Sequence, residues 1–257
     1  MKTKKLSSWV VALVVATTGM LAQVNPNGNS FDIGITTGMS SFQTDFGENG
    51  DFSGETFGNI GFNIGANFYM GFIDRRASGS NHWFKNHAKL TGNVSYFNAT
   101  IDHFGNLVED NYQAGLFEAM HAKTKMLNVG VGLQYFIFDL AEFNPKNVNL
   151  FAPYVGVEFS YNYLKPEVTS DLGNLNTYLP YVYRAPNTIF NESISTFSVG
   201  YSLGTRIKVS YQSDIDINLA WKNMLSDKLD GLVPQIDANK HNDWLYTVNV
   251  GYVFYID

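Results

Sequence analysis

The chain has no cysteine. That absence excludes disulfides, thiolate metal sites and a lipid carried on an N-terminal cysteine. Beyond residue 22 no apolar run approaches the roughly 18–20 residues a membrane-crossing helix requires. Basic excess is missing too: 17 Lys and Arg stand against 23 Asp and Glu, which argues against nucleic acid as a partner. No His pair sits at helical i, i+4 spacing, so the sequence offers no familiar metal site. No metal or cofactor is expected. What the chain does have is aromatics at 15% and 23 glycines, with charges held to 16%.

The N-terminus runs through basic Lys2, Lys4 and Lys5, an apolar stretch over Trp9–Val15 and small residues up to Ala22. This is the pattern of a cleaved secretory signal. The expected division is a signal over 1–22 and one domain over 23–257. Removing the three lysines moves the net charge from −6 to about −9.

The most informative stretch is the last one. Trp244, Tyr246, Val248, Val250, Tyr252, Phe254 and Ile256 recur every second residue, with Thr247, Asn249 and Gly251 between them. Strict alternation predicts a strand with two different surroundings. Its apolar face is unbroken for about the ten residues a tilted strand needs to cross a bilayer. Seven further segments repeat the pattern: Phe31–Met39, Gly58–Phe72, about Lys85–Thr100, Lys125–Phe138, about Phe151–Tyr163, Ser195–Ser210 and Asp214–Asn223. Gly58–Phe72 is the cleanest, with Ile60, Phe62, Ile64, Ala66, Phe68, Met70 and Phe72 opposite Asn, Gly and Tyr69.

Connections after even-numbered strands span about 73–84, 139–150 and 211–213; those after odd-numbered strands span about 40–57, 101–124, 164–194 and 224–242. Eight strands with long loops at one end predict an all-β, antiparallel, up-and-down transmembrane barrel of the outer membrane. Both termini then lie on the periplasmic side. A short helix is expected within Asp110–Lys123. A soluble sandwich or lipocalin-like barrel would present Lys and Glu on its polar faces, whereas these carry mainly Gly, Asn and Ser. Phe72, Tyr135, Tyr163, Trp221 and Trp244 suit an interfacial girdle. Lipid bilayer and outer-leaflet lipopolysaccharide are the expected surroundings, with other envelope proteins as partners.

Eight strands leave a lumen wide enough only for side chains. Lys89, Glu158, Arg206, Lys208 and Asp216 are expected inside and must pair, because a lone buried charge is costly. Inward-facing Lys208 and Asp216 require facing residues in their hairpin to sum to an even number. A turn at Tyr211–Ser213 places Lys208 opposite Asp216 and Arg206 opposite Asn218. The cluster reads as a structural plug, with a narrow channel as the alternative.

Catalysis is the least supported function. Among His82, His87, His103, His121 and His241, Asp102-His103 and His241-Asn-Asp243 flank strand ends, where Ser95 or Ser226 would be the nucleophile. No spacing selects such a site, and the expectation is no enzyme. Asp45, Glu48, Asp51 and Glu55 form an acidic, Gly-broken loop that does not match a calcium-binding loop. The long loop after the fifth strand holds Tyr178, Tyr181, Tyr183 and Phe190 and is the expected contact loop.

Several segments carry a further likeness: Phe42-Gln-Thr-Asp-Phe-Gly-Glu48, His103-Phe-Gly105, Phe151-Ala-Pro-Tyr154, Pro166-Glu-Val168 with Leu172-Gly-Asn-Leu-Asn-Thr177, Gly204-Thr-Arg-Ile-Lys208 and Asp243-Trp-Leu245. Together they resemble a family of outer-membrane barrels from flavobacteria and their relatives. The resemblance brings no activity and no site residue. It implies a host with type IX secretion and gliding, and hence a scaffold role within such an envelope assembly.

Overall fold

A computed structural model describes residues 30–44, 46, 59–72, 83–109, 112–140, 142–143, 150–233 and 242–256. The expected signal over 1–22 lies outside the described residues, as do Asp45, Glu48, Asp51, Glu55, His82 and His241. Eight strands form a closed barrel in sequence order: β1 Ser30–Gln43, β2 Ile60–Gly71, β3 Ala88–Asp102, β4 Met120–Phe136, β5 Phe151–Ser170, β6 Ile194–Lys208, β7 Ser213–Asn223 and β8 Trp244–Tyr255. Every neighbouring pair is antiparallel, and β8 closes the cylinder against β1. Closure gives every strand two paired neighbours across the middle of the barrel, which a bilayer demands.

The apolar sides of the ribbons face outward. Ile35, Met39, Phe62, Val131 and Val157 are more than half exposed, whereas Asn128, Asn162 and Ser198 on the opposite faces are wholly buried. The reverse arrangement, a dry apolar lumen across the middle of the barrel, would describe a soluble protein. The chain is therefore a membrane barrel, of the outer-membrane layout with its long connections on one side.

Three strands are longer than expected, all at the long-loop end. β1 continues to Gln43 instead of Met39, β4 begins at Met120 instead of Lys125, and β5 runs to Ser170 instead of Tyr163. β5 has 20 residues, about 65 Å at ~3.3 Å each. A tilted strand needs only about half of that to cross the apolar layer. The short helix expected within Asp110–Lys123 is present as the single turn Ala114–Glu118, with a second turn before it at Asn106–Glu109; it goes no further because Met120–Lys123 already pairs with β5.

The β6–β7 hairpin keeps the expected even sum but is shifted by two residues. Val209 and Ser210 both donate to the Ser213 carbonyl, so the chain reverses around Tyr211. Arg206 therefore faces Asp216 and Lys208 faces Asp214, in place of Lys208 with Asp216 and Arg206 with Asn218.

Candidate interaction surface and the closed interior

The lumen is built from alternate residues of all eight strands, and its character changes along the axis. Near the short-turn end it is charged. Asp32 accepts from Lys89 and, at 3.2 Å, from Arg206 Nη1. The Arg206 guanidinium lies 4.0 Å from the centre of the Tyr69 ring, and its Nη2 reaches Gln134 Oε1 at 3.4 Å. Tyr154 donates to Asp216 Oδ1 at 2.9 Å and accepts from Asn218 at 3.0 Å. Lys208 pairs with Asp214, and Tyr255 bonds both. Farther along, Lys222 meets Glu158 Oε1 at 2.5 Å and Asn128 Oδ1 at 3.2 Å.

Among the described residues the inward faces thus carry Lys89, Arg206, Lys208 and Lys222 against Asp32, Asp214, Asp216 and Glu158. The balance is even, as low dielectric requires. All five expected interior charges lie inside. Asp32, Asp214 and Lys222 were not among them, although strand parity points all three inward. A cavity of about 90 Å³ beside Glu158, Lys222, Asn63 and Asn93 has a mixed polar and apolar lining and space for on the order of three waters.

Above that cavity the lumen becomes apolar. The inward positions change from Ser95 to Phe97, Ala99 and Ile101 on β3, and from Asn128 to Met126 and Ala122 on β4. On β5 they change from Asn162 to Leu164 and Val168, and on β8 from Thr247 to Leu245. The loops fold onto this layer. Phe46, Phe117, Leu179, Tyr183, Leu229 and Leu232 join the strand residues in one buried core. At a coefficient of about 25 cal/mol per Å², large apolar side chains each contribute roughly 1.5–3 kcal/mol on burial.

Hydrogen bonds fix the loops to one another. Buried Asp230 accepts the Phe46 N–H at 3.1 Å and the Leu232 N–H at 2.8 Å. Asp243 accepts the Leu229 N–H at 2.7 Å, and Thr124 donates to the Leu229 carbonyl at 2.6 Å. Phe190 N–H donates to the Gly231 carbonyl at 2.7 Å. Gly231 has φ +82°, and a Cβ there would stand 2.7 Å from the Phe190 carbonyl oxygen. Only glycine suits both the dihedral and the gap.

His103 is buried within this layer, stacked on Phe46 at 4.3 Å and against Tyr183, with Phe117 edge-on. Burial lowers its pKa to about 3, so the ring is neutral. Burial pushes the Asp230 carboxyl up to about 6. His121 lies on the outer wall, its Nδ1 2.6 Å from Asp102 and its Nε2 3.2 Å from Asp171. The Asp102 hydrogen bond, the main cause, raises its pKa.

The expected contact residues divide. Tyr181 is 70% exposed and Tyr178 41%, but Tyr183 is 5% exposed and belongs to the core beneath them, which corrects its assignment. Phe190 is half-buried. The loop itself is shorter than expected, since β5 takes residues up to Ser170. An unexpected neighbour joins the surface: Tyr112, 89% exposed. Its successor Gln113 accepts the Tyr181 N–H through Oε1 at 2.9 Å, fastening two loops side by side.

Among the described residues the structure assembles no serine–histidine site of the kind the sequence allowed; His241 lies outside them. Ser95 points into the lumen and bonds Asn93 and Asn128. The Ser226 carbonyl accepts the Asp243 N–H. His87 bonds the Trp83 carbonyl at the opposite rim.

Compared with known proteins, the sequence matches no family model and no curated relative. The flavobacterial resemblance therefore gains no support from relatives; the coarser class, an outer-membrane eight-stranded barrel, stands. Similar solved structures include Neisserial surface protein A, at 12% identity and TM-score 0.47 over 88% of this chain and 98% of that one. OprG from Pseudomonas aeruginosa has 13% identity and TM-score 0.41 over 88% and 96%. The outer membrane enzyme PagL has 9% identity and TM-score 0.37 over 87% and 98%.

Proposed function

We propose that this barrel is a sealed outer-membrane platform that presents a preorganised loop surface to another macromolecule at the cell face. The observation that carries the reading is the single apolar core beneath the loops. A core of that kind holds the loops in one arrangement before any partner arrives, which lowers the ordering cost of binding. Tyr112, Tyr178, Tyr181 and Val182 remain outside it, at 89%, 41%, 70% and 40% exposure. Tyrosines supply large contact area with few rotatable bonds, as binding surfaces use them. The neutral charge network below and the apolar layer above favour a closed lumen over a narrow channel. Type IX secretion and gliding remain a context implied by resemblance, and the platform reading does not need them.

A photo-crosslinking residue placed at Tyr181 in the intact cell tests the proposal. The expected result is a discrete adduct that disappears in a Tyr112→Ser, Tyr178→Ser background. No adduct at Tyr181 or Tyr112 would contradict the reading. Planar-bilayer recordings should stay closed, and discrete openings that change with Arg206→Ala would favour the channel.

A further inference from the structure

The outer wall of β4 and β5 carries a feature that neither the lumen nor the loop surface explains. Leu127 faces Tyr163 as the last apolar outward pair of these strands. One step outward on the same wall, Lys125 faces Lys165 directly. Lys123 faces Glu167 at the next step, and His121 follows, held between Asp102 and Asp171. Lys123, Lys125, Lys165 and Glu167 are all exposed, and none of the four lies within ion-pair distance of an opposite charge among the described residues.

Like charges directly across a strand pair repel, and sheets normally avoid them. Here the repulsion is placed at one height, immediately above the apolar belt. The acids of the wall sit farther out, so positive charge is greatest next to the membrane. β6 ends at Ile194, opposite Leu164, so Lys165 has no strand neighbour on its far side. The feature is also local. Among the described residues no other strand has Lys or Arg on its outer face: Lys89, Arg206, Lys208 and Lys222 all point inward. General snorkelling at an interface would distribute lysines around the barrel.

We infer that Lys125 and Lys165 form a binding site for a phosphate group of an outer-leaflet glycolipid headgroup, with Lys123 in support. An anion between the two ammonium groups turns their repulsion into attraction, and the lipid headgroup is the anion at this height. The Tyr163 ring below offers an amphipathic surface against the sugar and upper acyl carbons. This site is separate from the loop tips and holds whether or not they bind a partner.

The test uses the full, folded chain in neutral detergent, with bound lipid counted by native mass spectrometry. The probes are bis-phosphorylated lipid A, dephosphorylated lipid A and inorganic phosphate. Wild type should prefer the phosphorylated lipid by about thirtyfold, from two lysines each meeting an anionic headgroup. Lys125→Gln with Lys165→Gln should abolish that preference, while Lys85→Gln at the opposite rim leaves it unchanged. Lys165→Glu should lose binding yet raise the unfolding temperature in lipid-free detergent by pairing with Lys125. Heat-dependent gel mobility verifies that each variant folds. Equal binding of dephosphorylated lipid, or retained preference in the double variant, would overturn the inference. Displacement by millimolar inorganic phosphate would assign the lysines to free phosphate and overturn the lipid assignment.

Discussion

A single strand, β5, passes through two opposite environments. From Val155 to Tyr163 its outward residues are apolar and its inward residues are Gly156, Glu158, Ser160 and Asn162. From Leu164 to Ser170 the roles exchange: Leu164, Pro166 and Val168 are buried while Lys165, Glu167 and Thr169 are exposed. β4 changes at the matching register, between Leu127 and Met126. The lower barrel is organised by lipid outside and paired charges inside. The upper barrel is organised like a water-soluble protein, around an apolar core. Two solvents act on one continuous sheet, and the period-two pattern reverses where they meet.

Substitutions separate the two regions because they fail in different ways. The largest effect is expected from Arg206→Met. It removes one of the cations that Asp32 meets and leaves Asp216 without its facing cation, at a cost of about 3–5 kcal/mol. The whole barrel should lose stability, read as a lower urea midpoint for folding into lipid vesicles. Lys222→Met should behave likewise but be largely rescued by Glu158→Gln, because a neutral pair needs no compensation.

Phe117→Ala should cost about 3–4 kcal/mol in the upper core, where the ring is 1% exposed. The loss should open the loops locally: hydrogen exchange rises in residues 103–119 and 171–193 while gel mobility of the folded barrel is retained. Gly231→Ala, forced into positive φ against the Phe190 carbonyl, should loosen the same layer by about 1–3 kcal/mol. A global midpoint shift from either upper change would undo the distinction.

The smallest effects are those of pH. His103 has a folded pKa of about 3, below its unfolded value, so its contribution falls as pH drops from about 6.5 towards 3. Asp230, at about 6 in the fold, has the opposite sign: its contribution grows as pH falls from about 6 to about 4 and is lost as pH rises through 6. The two slopes nearly cancel between pH 4 and 6. Asp230→Asn should expose the His103 trend as progressive loop opening below pH 6.5, measured by hydrogen exchange. His103→Phe in that background should flatten it.

The lower region was largely legible in the sequence, because bilayer contact imposes strict alternation on Gly58–Phe72, Lys125–Phe138 and the C-terminal strand. The upper region obeys the same period with reversed polarity. Reading only apolar-outward alternation therefore ended β5 at Tyr163 and turned seven strand residues into loop. Charge pairing within one hairpin did not fix the register, since both registers keep the parity and Arg206 bonds Asp32 across the lumen instead of relying on its facing residue. Tyr183 shows the limit for irregular chain: no periodicity distinguishes a buried tyrosine from its exposed neighbours Tyr178 and Tyr181. Asp32, Asp214 and Lys222 were within reach of parity alone.

Since the chain has no cysteine, every introduced one is unique, and a nitroxide scan along β5 from residue 155 to 169 tests the reversal directly. Odd positions through 163 should be accessible to lipid-soluble oxygen and shielded from a water-soluble nickel chelate. From 165 onward the odd positions should be open to the chelate, and even positions should resist both reagents throughout. Oxygen preference continuing to 169, or chelate access at 164, 166 and 168, would contradict a soluble-like core seated on a lipid-embedded barrel.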